Sequence, residues 1–328
     1  MGGAMAPPMI PPVSAPAFLA AHGWRDAAIA PLAGDASFRR YFRVTAPGRS
    51  AVLMDAPPPH EDPRPFLAVA AHLESLGFAP PHVLARDEGE GLVLLEDFGD
   101  ARMREIVDAD RAAEAAVYPR AVDLLVDLHR HPAASGMRPY DMAEYQREAG
   151  LFVEWYAPAL GLAVDGEGHA RAWAEALAPI AGERGVTVLR DYHAENIMLV
   201  GDGRLGLLDF QDALAGHPAY DLVSLLQDAR RDVAPALEAA MIARYAAAAP
   251  FDEAAYALLG AQRNAKILGI FTRLWKRDGK PRYLAYQPRV WGYLERDLAH
   301  PALAPVRAWF DANVPAAARA AAWKDVRA

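Results

Sequence analysis

Residues 186–221 read VTVLRDYHAENIMLVGDGRLGLLDFQDALAGHPAYD. Three short apolar runs, VTVL, NIMLV and RLGLLDF, are separated by polar turns, and this pattern predicts three β-strands. The turn RDYHAE divides the first two strands, and Gly201-Asp202-Gly203 joins the second and third as a hairpin. The acidic and amide side chains of this stretch stand at the strand ends, so a functional site is expected there.

The spacing of three of these polar residues predicts phosphoryl transfer. Asp191 is followed five residues later by Asn196, and Asp209 closes the third strand. Kinases use one Asp to receive the hydroxyl proton, an Asn at this spacing to help hold a metal, and a later Asp to hold the metal that bridges the phosphates. Each residue alone is an ordinary turn former. Together they predict Asp191 as the catalytic residue and Asn196 and Asp209 as metal ligands.

Composition narrows the class of protein. The chain has 328 residues, of which 53% are hydrophobic and 23% charged, which predicts a folded protein with two lobes or domains. A net charge of −8 argues against a nucleic-acid or anionic-membrane partner, since both require a basic surface. The sequence has no cysteine, which excludes disulfides, thiolate metal sites and cysteine nucleophiles.

The N-terminal segment bears on localisation. Residues 1–24 are rich in Ala and Pro and predict a flexible leader and the start of the first lobe, with a short helix near residues 18–22. They lack the basic start and unbroken apolar run of a signal peptide. No window holds about 18 uninterrupted apolar residues, the length of a membrane span. We expect a cytoplasmic monomer with no membrane partner.

Residues 25–96 predict a small, strand-rich, nucleotide-binding lobe. Strands are expected at 29–32, 39–45, 50–55, 82–87 and 92–95, with a helix over 64–76. The connection after the first strand stands where kinases lay a loop over the ATP phosphates, which makes Asp35, Ser37 and Phe38 candidate nucleotide ligands. An ordinary polar hairpin is the alternative interpretation of the same connection.

This lobe lacks a residue that kinases normally have. The third-strand position of the phosphate-binding lysine falls at Met54, and the first lysine in the chain is Lys266. If ATP binds, an arginine must take that role, and Arg40 and Arg43 on the second strand are the candidates. Glu74, which would pair with the lysine, is expected to be a solvated helix residue instead.

A change of composition at Glu96-Asp97-Phe98-Gly99 predicts the boundary to a helical second lobe over 97–328. In a kinase this segment would be the hinge that contacts adenine. Glu96 and Phe98 are therefore candidate nucleotide-binding residues, and Asp97 is a second hinge polar residue. The alternative is that these residues only form an ordinary turn between the two lobes.

The second lobe is predicted to be mostly helical. Asp221, at the start of a helix, is expected either to cap that helix or to support the backbone of the Asp191 loop. A basic and aromatic region around Arg273 and Arg282 predicts either a solvated helical face or part of a pocket for a sugar or an anionic group. Helices are expected at 112–131, 141–160, 167–181, 234–248, 252–275, 283–298 and 303–313.

The length of the chain between Asp209 and Asp221 restricts the size of the substrate. Only eleven residues separate Asp209 from Asp221. A protein kinase needs a long activation segment there to bind a peptide. The substrate is therefore expected to be a small molecule.

The phrases RDYHAEN and LLDFQDALAGHPAYDL resemble the aminoglycoside phosphotransferase/choline kinase family, and the resemblance extends over about residues 25–300. It implies an α+β fold with two lobes, like that of protein kinases: a small β-rich N-lobe and a larger helical C-lobe. The phrases GDASFRRYFRV, VLMDAPPP and LLEDFGD are similar to bacterial kinases that phosphorylate the anomeric hydroxyl of N-acetylmuramate and N-acetylglucosamine in cell-wall recycling. Leu189 is a departure, because the family usually has His there.

The resemblance implies roles for the candidate residues. Asp191 would accept a proton from, or orient, the anomeric hydroxyl, and Asn196 and Asp209 would hold Mg²⁺ while ATP supplies the phosphoryl group. Sugar contacts are assigned to His193, Glu195, Arg273 and Arg282. Two alternatives stay open. One is a kinase of another small hydroxyl substrate, such as an aminoglycoside, a choline-like molecule or another amino sugar. The other is an inactive nucleotide-binding regulator.

Overall fold

The computed structural model describes residues 10–32 and 39–319, which divide into two compact units. The N-terminal unit consists of the described residues up to Arg102 together with Ile197–Asp212. The C-terminal unit consists of Met103–Asn196 and the described residues from Ala213 onward. The hairpin predicted at the centre of the sequence therefore belongs to the N-terminal unit, and the loop that carries Asp191 belongs to the C-terminal unit.

The N-terminal unit is built on a five-stranded antiparallel sheet with the order β1-β2-β3-β5-β4. Gly48, with φ +76°, lies in the tight turn between the second and third strands. The predicted strands are all present, each within two residues of its expected ends. Their bounds are β1 Ala28–Pro31, β2 Arg40–Ala46, β3 Arg49–Asp55, β4 Val83–Asp87 and β5 Leu92–Glu96.

One face of this sheet packs against the first helix, α1 (Ala15–Ala21). Phe18 and Leu19 of the helix and the following Trp24 are buried against sheet residues that alternate along the strands, such as Phe42 and Leu53. Burial of each large apolar side chain contributes about 1.5–3 kcal/mol. Residues 15–24, predicted as leader and lobe start, are thus part of a hydrophobic core. A second helix, α2 (Arg64–Ser75), follows β3.

The stretch quoted at the outset holds four short strands, one more than predicted: β6 Val186–Val188, β7 Ile197–Leu199, β8 Leu205–Leu207 and β9 Leu214–Gly216. β7 and β8 form the expected hairpin within the N-terminal unit, where the N–H of Leu207 donates to the carbonyl of Ala79 at 2.9 Å. In the C-terminal unit β6 pairs with the unpredicted β9.

Helices make up the rest of the C-terminal unit. The predicted helix over 141–160 is broken after Ala149 and continues as a π-helical turn, Phe152–Tyr156. The break coincides with a close approach of α10, because a Cβ on Gly269 would lie 2.4 Å from the backbone of Leu151. The helices are α3 Met103–Ala109, α4 Glu114–Leu128, α5 Met142–Ala149, α6 Ala157–Ala159, α7 Gly166–Leu177, α8 Ala219–Leu226, α9 Pro235–Ala248, α10 Glu253–Lys276, α11 Gln287–Leu298, α12 Ala304–Asn313 and α13 Ala316–Arg319.

Among the described residues, no helix combines the length and the apolar character that a bilayer crossing requires.

Candidate active site

The catalytic loop, defined here as residues 189–196, connects β6 to a single 3₁₀ turn at Ala194–Asn196. The backbone carbonyl of Asp191 is the acceptor that organises it. It accepts the N–H of His193 at 3.1 Å and the side-chain Nδ2 of Asn196 at 3.0 Å. Because Nδ2 is used in this way, the amide oxygen of Asn196 points away from that carbonyl, as an oxygen ligand for a hard cation must.

Asp221 contacts the backbone of the catalytic loop directly. Its Oδ2 accepts the N–H of Leu189 at 2.6 Å, and its Oδ1 accepts the N–H of Arg190 at 2.9 Å. Burial raises the pKa of Asp221 to about 7, although the two N–H bonds act in the opposite direction. Asp221 is not the cap of α8, because Pro218 occupies the N-cap position, so the capping interpretation is wrong.

Arg190, next to Asp191, has a left-handed backbone with φ +71°. Its buried guanidinium pairs with Glu148 of α5, which also accepts Lys266 Nζ at 2.7 Å and the hydroxyl of Tyr140. Burial of Glu148 opposes ionisation, yet Lys266 and Arg190 hold its pKa at about 2. Two cations therefore share one carboxylate beside the loop.

The buried charge cluster, defined as Glu148, Arg190 and Lys266, was not predicted from the sequence. In the sequence, Lys266 is the first lysine of the chain and belongs to its basic and aromatic region. Nothing in the sequence distinguishes Glu148 from the solvated carboxylates of the same predicted helix. The signal that could have found it is a single Lys inside a long apolar helix, because a charge buried there requires a partner.

His193 and Glu195 were predicted to contact substrate, and both have other partners in the C-terminal unit. His193 is buried, its Nε2 lies 3.2 Å from Arg230 Nη1, and burial followed by the charge of Arg230 lowers its pKa to about 3. Glu195 pairs with Arg104 and, at 2.9 Å, with Arg230 Nε. These contacts favour a role in packing the catalytic loop.

Asp209 follows β8 in the N-terminal unit and also has a left-handed backbone, with φ +58°. Its Oδ1 accepts Gln211 Nε2 at 3.0 Å. Asp209, Arg190 and Asp26 are the three residues other than glycine that have positive φ within the described ranges. Two of the three thus lie at, or next to, residues predicted to carry chemistry, which is where such conformations concentrate.

The candidate arginines of β2 differ in their partners. Arg40 donates to Asp55 at 2.7 Å. Arg43 donates to the carbonyl of Gly99 at 3.2 Å and pairs with Asp97 and Asp100, each at 2.9 Å. These contacts of Arg43 connect β2 to the segment that follows β5.

The predicted hinge residues make contacts within the N-terminal unit. Glu96 accepts Arg204 Nη2 at 2.8 Å. Phe98 is buried against β8, and Gly206 leaves the room for its ring, because a Cβ there would lie 2.6 Å from the ring. Asp35, Ser37 and Phe38 lie outside the described residues.

The remaining candidates lie elsewhere in the two units. Arg273 of α10 is partly buried, and burial together with the charge of Arg277 lowers its pKa. Arg282 donates to Tyr283 at 3.3 Å. In the N-terminal unit Glu74 is 56% exposed and lies 2.7 Å from His82 Nδ1, as expected for a solvated helix residue.

The donor chemistry fits the predicted metal. The described residues contain no group of three or more His, Cys, Asp or Glu side chains arranged to hold an ion. Mg²⁺ normally uses one or two carboxylates together with waters and substrate phosphates, so it does not need such a group. A carboxylate at Asp209 and an amide oxygen at Asn196 are ligands of the right type.

Comparison with known proteins agrees with this fold. The phosphotransferase enzyme family matches residues 28–259. A curated relative from Caulobacter vibrioides, named N-acetylmuramate/N-acetylglucosamine kinase, is 40% identical, with 92% of this chain and 96% of the relative covered. A protein of the same name from Pseudomonas aeruginosa is 39% identical, covering 87% and 88%.

A solved structure, choline kinase LicA from Streptococcus pneumoniae, superposes with a TM-score of 0.59 at 14% identity and covers 84% of this chain and 93% of its own. At that identity the likeness establishes the fold alone. The two-lobed α+β fold predicted from the sequence is therefore confirmed. The chain belongs to the phosphotransferase enzyme family and is a kinase with the aminoglycoside phosphotransferase/choline kinase fold.

Proposed function

We propose that this protein uses ATP to phosphorylate the anomeric hydroxyl of N-acetylmuramate and N-acetylglucosamine, giving sugar 1-phosphates in a peptidoglycan-recycling route. The observation that carries the proposal is the likeness to sugar kinases of that name, which extends over nearly the whole chain. The geometry of the catalytic loop supports the reaction type. It fixes Asp191 through its own carbonyl and through two N–H bonds to Asp221.

In the proposed reaction the anomeric oxygen forms a bond to the γ-phosphorus of ATP, and the bond from that phosphorus to the β–γ bridging oxygen breaks to release ADP. Asp191 receives the hydroxyl proton or orients the hydroxyl. Most of the catalysis is then positioning, which the hydrogen-bonded loop supplies. Asn196 and Asp209 would provide oxygen ligands to Mg²⁺, which neutralises phosphate charge when bound.

The test is turnover with ATP and Mg²⁺ against N-acetylmuramate, N-acetylglucosamine, kanamycin and choline, with the product analysed by ³¹P NMR. We expect a phosphate coupled to the anomeric proton of both sugars and no product from kanamycin or choline. Phosphorylation at another hydroxyl, or of kanamycin or choline alone, would replace this proposal with one of the alternatives. ADP binding without turnover of any of the four would favour a regulator or an untested substrate.

A further inference from the structure

The N-terminal unit must hold nucleotide phosphates without the usual lysine. Met54, at the expected position on β3, is fully buried and carries no charge. In register, Met54 stands opposite Tyr41 of β2, so the two side chains lie on the same face of the sheet. A cation that replaces the lysine must reach this face.

Three arginines in and next to β2 are available, and the alternation of side chains along a strand separates them. Arg39 and Arg43 share the face of Tyr41, whereas Arg40 projects to the other face, where it pairs with Asp55. Arg40 is therefore on the wrong side of the sheet to replace the lysine.

Arg43 is on the correct face but is already neutralised. Asp100 and Asp97 both bond to its guanidinium, and together they raise its pKa. Two carboxylates against one guanidinium leave the group of three with a net negative charge. Such a group attracts no phosphate.

Arg39 has a different environment. Its side chain is 10% exposed, and its Nε lies 3.5 Å from Glu61 Oε2. It also bonds to the hydroxyl of Tyr41. Burial raises the pKa of Tyr41 to about 12, Arg39 lowers it, and Asp209 and Glu61 raise it. Arg39 thus lies on the face of Met54 and pairs with Glu61 across 3.5 Å.

We propose that Arg39 is the cation that binds the nucleotide phosphates in place of the missing lysine, and that Glu61 positions it. This rests on the proposed function, because it assumes that the phosphates of ATP are bound beside Asp209. The ion pair between Arg39 and Glu61 replaces the lysine–glutamate pair of other kinases: the cation binds phosphate and the carboxylate positions the cation. Neither residue occupies the usual position. A guanidinium suits the task because it is always charged and offers two parallel N–H donors to phosphate oxygens.

The experiment measures nucleotide binding separately from turnover. Calorimetry would give the dissociation constants of ADP and of adenosine for the wild type and for Arg39→Gln, Arg39→Lys, Arg43→Gln and Glu61→Gln. Arg86→Gln is the matched control, since Arg86 is an exposed, ion-paired arginine of the same sheet. Thermal unfolding would establish that each variant is folded.

We expect Arg39→Gln to raise the dissociation constant of ADP about 10–100-fold, the usual effect of losing a charge-assisted hydrogen bond, and to leave adenosine binding unchanged. Arg39→Lys should recover part of the loss. Glu61→Gln, which keeps the cation and removes its support, should weaken ADP binding less than Arg39→Gln, again without affecting adenosine. A merely structural role would weaken both ligands together.

Wild-type ADP affinity in folded Arg39→Gln, or a specific loss of ADP binding in Arg43→Gln alone, would overturn the assignment. If Arg39→Gln does not fold, the other two variants test the assignment. A loss of ADP binding alone in Glu61→Gln and a partial ADP affinity in Arg39→Lys would support it, and wild-type ADP affinity in both would overturn it. The proposed role of Arg39 and the proposed sugar substrate can be refuted independently of each other. Sugar phosphorylation with an unchanged KM for ATP in Arg39→Gln would refute the role of Arg39 alone. ADP binding that requires Arg39, in a protein that phosphorylates no sugar, would refute only the substrate.

Discussion

The side-chain amide of Asn196 donates to the backbone carbonyl of Asp191 across 3.0 Å. The residue predicted to hold the metal therefore also fixes the backbone of the residue predicted to handle the proton. The two functions require opposite ends of one amide: Nδ2 holds the loop, and Oδ1 is the ligand atom.

This geometry predicts that Asn196→Asp is not a conservative change. The new carboxylate keeps an oxygen ligand but replaces the donor with an acceptor that faces the Asp191 carbonyl. We expect kcat to fall about 10²-fold or more, the range in which mispositioned catalytic groups lie. Steady-state kinetics over a Mg²⁺ series checks this. Full activity restored by high Mg²⁺ would show that the amide serves only as a ligand.

Asp191 and Asp209 are predicted to be required for turnover and not for folding. Removal of a general acid–base group costs about 10²–10⁴-fold in rate, so Asp191→Ala should be nearly inactive. Asp209→Ala should be nearly inactive as well, because it removes a predicted Mg²⁺ ligand. Asp191→Ala should bind ADP as the wild type does, since no phosphate contact is assigned to Asp191. Near-normal turnover in either folded variant would contradict the site assignment.

The buried charge cluster of Glu148, Arg190 and Lys266 should dominate the stability of the C-terminal unit. Glu148→Gln leaves Lys266 without its carboxylate and leaves Arg190 with the more distant carboxylate of Glu144, 3.7 Å away. Breaking a buried pair in this way costs about 3–5 kcal/mol. Chemical denaturation measures the loss, with the 92%-exposed Glu167→Gln as control.

A second change tests the cause. Adding Lys266→Met to Glu148→Gln removes the uncompensated charge of Lys266, so the double variant should be more stable than Glu148→Gln alone. Additive losses in this double-mutant cycle would show that Lys266 and Glu148 do not interact.

Arg273 and Arg282, which were predicted to contact the sugar, are candidates for binding the lactyl carboxylate of N-acetylmuramate, a group that N-acetylglucosamine lacks. If either arginine binds it, Arg273→Gln or Arg282→Gln should raise the KM for N-acetylmuramate about tenfold or more and leave that for N-acetylglucosamine unchanged. The second sugar is thus an internal control for folding. An equal effect on both sugars, or none in the double variant, would remove these residues from the substrate site.

His169 should make stability depend on pH. It accepts a hydrogen bond from Trp173 Nε1 at 2.9 Å, and burial lowers its pKa to about 4. The unfolded side chain titrates near pH 6.5, so below that pH the unfolded state binds a proton that the folded state refuses. Stability from this group is therefore present above about pH 6.5 and falls as the pH drops toward 4.

The loss between pH 7 and pH 5 should be about 1–2 kcal/mol. Denaturation of the wild type and of His169→Gln at both pH values measures it, with the exposed His60→Gln as control. His169→Gln should lose less stability on acidification than the other two proteins. An identical loss in all three would show that His169 does not contribute.

The local parts of the fold were predictable from local patterns. β2 alternates in polarity, β3 contains the apolar run of residues 51–54, and Gly48 lies in the turn between them. The β7–β8 hairpin surrounds Gly201-Asp202-Gly203, so a few neighbouring residues specify each hairpin. The spacing of Asp191 and Asn196 survives into the structure for the same reason: five residues span one loop.

Pairings between distant segments were not predictable in this way. The pairing of β6 with β9 joins residues 186–188 to residues 214–216, and the short sequence of β9 has no local pattern that indicates a strand. The break after Ala149 lies beside the close approach of Gly269 to Leu151, a contact between distant segments that the sequence of the broken helix does not indicate.

By itself, the sequence determined the family, the order of the secondary elements and the three residues most suited to phosphoryl transfer, because each depends on residue type and short-range spacing. Tertiary structure alone decided which charges meet. Lys266 pairs with Glu148, and Arg43 pairs with Asp97 and Asp100. Arg39 lies beside Glu61 and Tyr41. The physical reason is that an ion pair depends on distance and burial, which the chain acquires only when remote segments pack together.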